Sequence, residues 1–223
     1  MSRFKSHVIL GLVACVAIST PAMASPIISA LDPALTGATV QDFESATAGN
    51  FVSQTYGGLT VTAVNSAAVP AASFDIAGDY NGGFNNQGLQ HISNLGSEFQ
   101  ALRFDFSGAT SAFGFLFGAS DSSWTLSAFD AGNVLLDTTN IPPVFASNAG
   151  DFFGLGGLSG ASYATLTQNF DGIYAAGGVD YVFVDNFTYV SGRIVTPVPE
   201  PLTISLFAAG LAGAATMRRR RKN

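Results

Sequence analysis

Thiols, imidazoles and lysines are almost missing from the body of this 223-residue chain. The single cysteine, Cys15, stands in an N-terminal apolar run, so a chain that loses this run has neither a thiol nor a disulfide. That excludes zinc–thiolate chemistry and a cysteine nucleophile, and leaves the fold to be held by its core, with or without a metal. Between residues 25 and 197 there is no lysine, and His91 is the one histidine. A Ser-His-Asp triad would have to use His91, and the nearest approach to a G-x-S-x-G elbow, Gly157-Leu158-Ser159-Gly160-Ala161, departs from it at the last position. His91 reads as an ordinary half-exposed strand residue, and no catalytic residue is assigned.

Positive charge is scarce in the same region. Residues 25–197 hold 14 acidic side chains against Arg103 and Arg193, a formal charge of −12, whereas the other seven basic residues crowd the two ends. Such a surface repels phosphates, which excludes nucleic acid as a partner. Fourteen acids could in principle supply a glycosidase pair, but sequence spacing selects no two of them.

Helical periodicity of useful length is lacking between the ends as well. What is present is Phe, at 19 residues, with Gly at 25, arranged as short apolar alternations cut by turn residues every eight to twelve positions. That is the look of an all-β antiparallel sandwich over residues 25–190. Leu59, Val61 and Ala63 alternate with threonines; Leu102, Phe104 and Phe106 alternate with Arg103 and Asp105. Phe113, Phe115 and Phe117 alternate with apolar or small residues, which predicts a central strand buried on both faces. Residues 124–129 and 134–138 read as a hairpin around Asp130-Ala131-Gly132-Asn133, with Gly132 and Asn133 supplying positive φ. A last strand is expected over 181–190. The Gly-rich stretches 81–88 and 151–160 read as loops, although Phe152 and Phe153 could open a strand, and 191–197 reads as a linker. Trp124, in a strand, reads as core. Tyr56, Tyr80, Tyr163 and Tyr174 lie near polar loops, where aromatic rings could meet a sugar.

The two ends carry targeting patterns. Residues 1–24 combine Arg3 and Lys5, an apolar run over 8–18, and Ala22-Met23-Ala24, in which Ala22 and Ala24 make a small-x-small cleavage site. This reads as a signal peptide for the Sec translocon, with a mature chain expected to start at Ser25. At the other end Val198-Pro199-Glu200-Pro201 precedes sixteen mostly apolar residues and then Arg218, Arg219, Arg220, Arg221 and Lys222. Sixteen residues give roughly 24 Å of helix, a marginal single transmembrane span, and the basic cluster would stop transfer.

This three-part tail, residues 198–223, resembles the PEP-CTERM sorting domain. The resemblance implies recognition by exosortase, a membrane-embedded cysteine enzyme thought to cleave near the motif, and delivery to the surface of a Gram-negative bacterium that makes extracellular polysaccharide. The central domain in turn is similar to a jelly-roll-like β-sandwich common in PEP-CTERM proteins and distantly like carbohydrate-binding modules. The similarity rests on Asp42-Phe43-Glu44, on residues 54–61, 104–107, 111–115 and 128–135, and on Val184-Asp185-Asn186-Phe187. It implies a structural calcium held by Asp42, Glu44 and Asp185, assisted by Asn186 or a backbone carbonyl; oxygen-only ligands suit that hard cation. Three functions follow as expectations: a non-catalytic surface or matrix protein first, a module binding extracellular polysaccharide second, and a glycoside-active enzyme third.

Overall fold

In a computed structural model the described residues are 25–65, 74–78, 87–93, 100–145, 150–169 and 180–192. The signal peptide (1–24), the linker beyond Gly192 and the whole 198–223 tail lie outside them. Among the described residues no helix is long and apolar enough to cross a membrane.

The expected all-β, sandwich-like architecture is present. Among the described residues twelve strands form one continuous sheet: β1 (Ser25–Ile27), β2 (Thr39–Gln41), β3 (Gly49–Phe51), β4 (Ser53–Tyr56), β5 (Leu59–Asn65), β6 (Phe74–Gly78), β7 (Gln87–Ser93), β8 (Gln100–Gly118), β9 (Trp124–Phe129), β10 (Leu135–Ile141), β11 (Asp151–Gln168) and β12 (Asp180–Ser191). A short 3-10 turn, Pro33–Leu35, is capped by Asp32, whose Oδ1 accepts from the Ala34 N–H. All pairings between named strands are antiparallel.

Two long strands hold the two halves together. The N-terminal part of β8 pairs with β5 and with residues 161–167 of β11, giving a first half-sheet in the order β4-β5-β8-β11-β9-β10. The C-terminal part of β8 pairs with residues 151–156 of β11 and with β12, which continues to β2, β7, β6 and β3 in the second half. The break between the halves is marked by register shifts around residues 156–163 of β11, where Gly157 and Gly160 take positive φ. Bending at this point folds the apolar faces onto each other. Phe104 of β8 reaches Phe115 of the same strand at 5.9 Å and Phe187 of β12 at 4.7 Å. Phe106 meets Phe113 at 5.3 Å, and Phe117 meets the edge of Trp124 at 6.4 Å. Such aromatic pairs add to the area they bury, and they account for the abundance of Phe.

The period-two alternations lie where expected. Leu59, Val61, Ala63, Leu102 and Phe104 are fully buried, as are Phe113, Phe115 and Phe117 on a strand flanked on both sides. Trp124 is core. The hairpin β9–β10 forms, but its turn corrects the expected geometry: Asn133 takes φ 63°, whereas Gly132 is not among the positive-φ residues. The reason is Asp130, whose Oδ1 accepts from the N–H groups of Gly132 and Val134, both at 2.8 Å, and shapes the turn as an Asx motif.

A second correction concerns 151–160. This stretch is not a loop but the first part of β11, and its glycines permit close pairing. Gly154 stands opposite Gly114. A Cβ on Gly114 would lie 2.5 Å from the Phe152 ring, and one on Gly154 would overlap the Phe113 carbonyl oxygen. Of the expected loop 81–88, residues 81–86 lie outside the described region, and Gln87 and Gly88 open β7.

Candidate functional site

The acidic residues singled out in the sequence are brought together. β2 runs antiparallel to β12 with Gln41 opposite Phe187, so the chain leaving β2 passes beside Asn186 and Asp185. Both crossing points are left-handed: Phe43 has φ 57°, which costs a bulky residue free energy, and Asn186 φ 47°, which asparagine adopts readily. Phe43 repays this by full burial, its ring edge-on to Tyr56 at 5.2 Å. Its neighbours Asp42 and Glu44 stay exposed, and Asp42 Oδ1 accepts from the Glu44 N–H at 3.3 Å. Asp185 is buried and accepts from the Asn186 N–H at 2.6 Å.

Burial pushes the Asp185 carboxyl up to about 6; the negative charges of Glu44 and then Asp42 push the same way, against the pull of the Asn186 N–H. Three carboxylates therefore share one neighbourhood. Among the described residues, however, no three His, Cys, Asp or Glu side chains form a group that could hold a metal ion. The oxygen-only donors suit calcium in kind, but backbone carbonyls or water would have to complete any shell.

Because Asp185 binds its proton more tightly in the folded chain than in the unfolded one, its stabilising contribution is complete below the ordinary carboxylate range and is lost as pH rises through about 6. With divalent ions chelated, the thermal midpoint should fall as pH rises from the ordinary carboxylate range to about 6 and level off above it. Asp185→Asn should flatten that dependence and raise the midpoint at neutral pH. A wild-type midpoint that does not fall over the same range contradicts the placement of the three acids.

A second constellation was not foreseen. Asp180, at the start of β12, is 1% exposed and gathers donors from the segment between β8 and β9. Its Oδ1 accepts from the Asp121 N–H at 3.0 Å. Its Oδ2 accepts from the Ser122 hydroxyl at 2.5 Å, the Ser122 N–H at 3.2 Å and the Trp124 Nε1–H at 3.1 Å. The Ser120 hydroxyl lies 3.2 Å from the same oxygen and donates at 2.6 Å to the Ser122 carbonyl. The partners are about 60 residues apart in the chain, so no local pattern announces them; the only signal is the Ser-rich run before Trp124. This is a buried carboxylate saturated with donors, a structural clasp.

The outer face of the first half-sheet carries a different chemistry. Tyr163 of β11 stands opposite Asp105 of β8 on one side and Phe129 of β9 on the other. Its ring stacks on Phe129 at 4.8 Å and 11°, and the Arg103 guanidinium sits 3.8 Å from its centroid. Arg103 is closed by Asp105 through both Nε and Nη2, at 2.7–3.0 Å. Around this row the cross-strand pairs are hydroxyls: Ser53 with Thr62 at 2.8 Å, Thr55 with Thr60 at 2.9 Å and Ser127 with Thr138 at 2.9 Å. Of the four tyrosines considered from sequence, Tyr163 is on this face. Tyr56 is half-buried with its hydroxyl unpaired among the described residues, and burial pushes it up to about 12. Tyr80, Tyr174 and the His91 side chain lie outside the described residues; His91 itself is in β7, as expected of a strand residue.

No family model and no curated protein matches the chain. Among solved structures it is similar to the K2 cleaved adhesin domain of Lys-gingipain, at 9% identity and TM-score 0.39, over 69% of this chain and 99% of that one. It is similar to a mutant of CBM29-2, a family 29 carbohydrate-binding module, at 10% identity and TM-score 0.36, over 73% and 98%. A third likeness is to the family 11 carbohydrate-binding module of the cellulosomal cellulase Lic26A-Cel5E of Clostridium thermocellum, at 10% identity and TM-score 0.35, over 70% and 95%. None of these distant likenesses carries a ligand over to this chain.

Proposed function

We propose that the chain is a non-catalytic protein of the cell surface or extracellular matrix. Its leader sends it through the Sec translocon, and its tail delivers it to exosortase. The observation that supports a non-catalytic role is the Asp180 clasp: among the described residues, this set of chemistry-bearing side chains is buried, saturated with hydrogen bonds and used to tie strands together. The tail supports sorting through the order of its parts, Val198-Pro199-Glu200-Pro201, an apolar span and the basic cluster 218–222. In this reading the domain is a jelly-roll-like sandwich on the outer side of the membrane, with the apolar span as a transient anchor. Deleting residues 198–223 while keeping 1–197 should remove the protein from the surface fraction and leave it soluble in the periplasm or medium. A deleted chain that still reaches the surface matrix in full amount contradicts the sorting role.

The outer face of the first half-sheet favours a second reading within the first, in which the domain associates with extracellular polysaccharide.

A further inference from the structure

We infer that the polysaccharide bound is an uncharged one, and that it lies across the outer face of the first half-sheet over β8, β11, β9 and β10. This rests on the polysaccharide reading above and adds the site and the ligand class. Charge argues for the class. In a domain of formal charge −12 the one cation on this face among the described residues is Arg103, and Asp105 takes two of its nitrogens while Tyr163 covers its plane. Among the described residues no free positive charge is left there for a polyanion, and the surrounding acids repel one.

Surface chemistry argues for the same ligand. Sugars present hydroxyl edges and apolar C–H faces, and both have counterparts here. Thr165 offers a hydroxyl able to donate and accept, while the Ser127 and Thr138 hydroxyls, bonded to each other with Thr138 also donating to the Leu126 carbonyl, offer acceptor lone pairs. Beside them Phe129 is half-exposed, and it stands in register with Leu135, which together with Val134 forms an exposed apolar end to the hairpin at 51% and 59% exposure. Because Tyr163 is clamped between Phe129 on the β9 side and Arg103 on the β8 side, the row is fixed before any ligand arrives, which lowers the ordering cost of binding.

The test uses the full chain in a non-glycosidic detergent, run in affinity gels containing soluble neutral β-glucan, xyloglucan or dextran, or anionic polygalacturonate. Retardation by at least one neutral polymer is expected, unchanged at roughly half-molar salt, where surface charge is screened. Thr165→Arg at the centre of the face and Leu135→Ser at its edge should each weaken it by about tenfold, with thermal midpoints close to wild type. Binding undiminished in both folded variants overturns this face as the site while leaving polysaccharide binding standing. Binding only to polygalacturonate, lost in salt, overturns the uncharged class. Retardation by none of the polymers overturns the polysaccharide reading itself.

Discussion

Replacing Asp180 with alanine is expected to cost about 3–5 kcal/mol, because it leaves several buried donors facing an empty site. For a domain of this size that corresponds to a fall in the thermal midpoint on the order of 10 °C. The orphaned groups would be the N–H groups of Asp121 and Ser122, the Ser122 hydroxyl and the indole N–H of Trp124. Asp180→Asn is a sharper probe: it keeps the shape but turns a donor toward donors, so it should also destabilise, by less. Ser122→Ala removes one hydroxyl from the same oxygen and should cost about 1 kcal/mol. Chemical denaturation of the three variants checks the order. An alanine variant as stable as wild type would mean that the clasp does not hold β12 to the segment before β9.

The second large effect is expected at Gly154. It faces Gly114 across the β8–β11 pairing, and a Cβ there would overlap the Phe113 carbonyl oxygen and approach the Gly114 Cα at 2.7 Å. The intruded atoms are backbone within a central pairing, so rotamer changes cannot relieve the clash. Gly154→Val should therefore cost at least about 3 kcal/mol, near the upper end for overpacking, and abolish soluble expression in a marginal background. Gly37→Ala is a useful contrast, since an added Cβ there meets nothing within 4 Å and only the left-handed φ of 76° opposes it. Roughly 1 kcal/mol is expected at that position. Equal costs at the two glycines would refute the close approach of β8 and β11.

How far the sequence disclosed this depends on the range of the interaction. Alternating residues such as Leu102, Phe104 and Phe106 declare their strand and its buried face locally, because side chains alternate across a sheet. The stretch 151–160 did not, since its glycines signal loop by propensity while their use is set by Gly114 and Phe152 opposite. Tertiary proximity overrode the local signal. Asp42, Glu44 and Asp185 were recognisable by resemblance, and the β2–β12 register brings them together. Their failure to form a metal-holding group among the described residues could be read only from coordinates. Asp180 was illegible because its donors come from the segment between β8 and β9 and the start of β9, about 60 residues earlier in the chain, and so was the row of Phe129, Tyr163, Arg103 and Asp105, assembled from three strands.

The most direct measurement of the central claim is the intact mass of the native protein from surface and inner-membrane fractions of its own host. A surface species that begins at Ser25 and ends near Val198 to Pro201 is expected. A chain that retains every residue through Asn223 and stays confined to the inner membrane would contradict it.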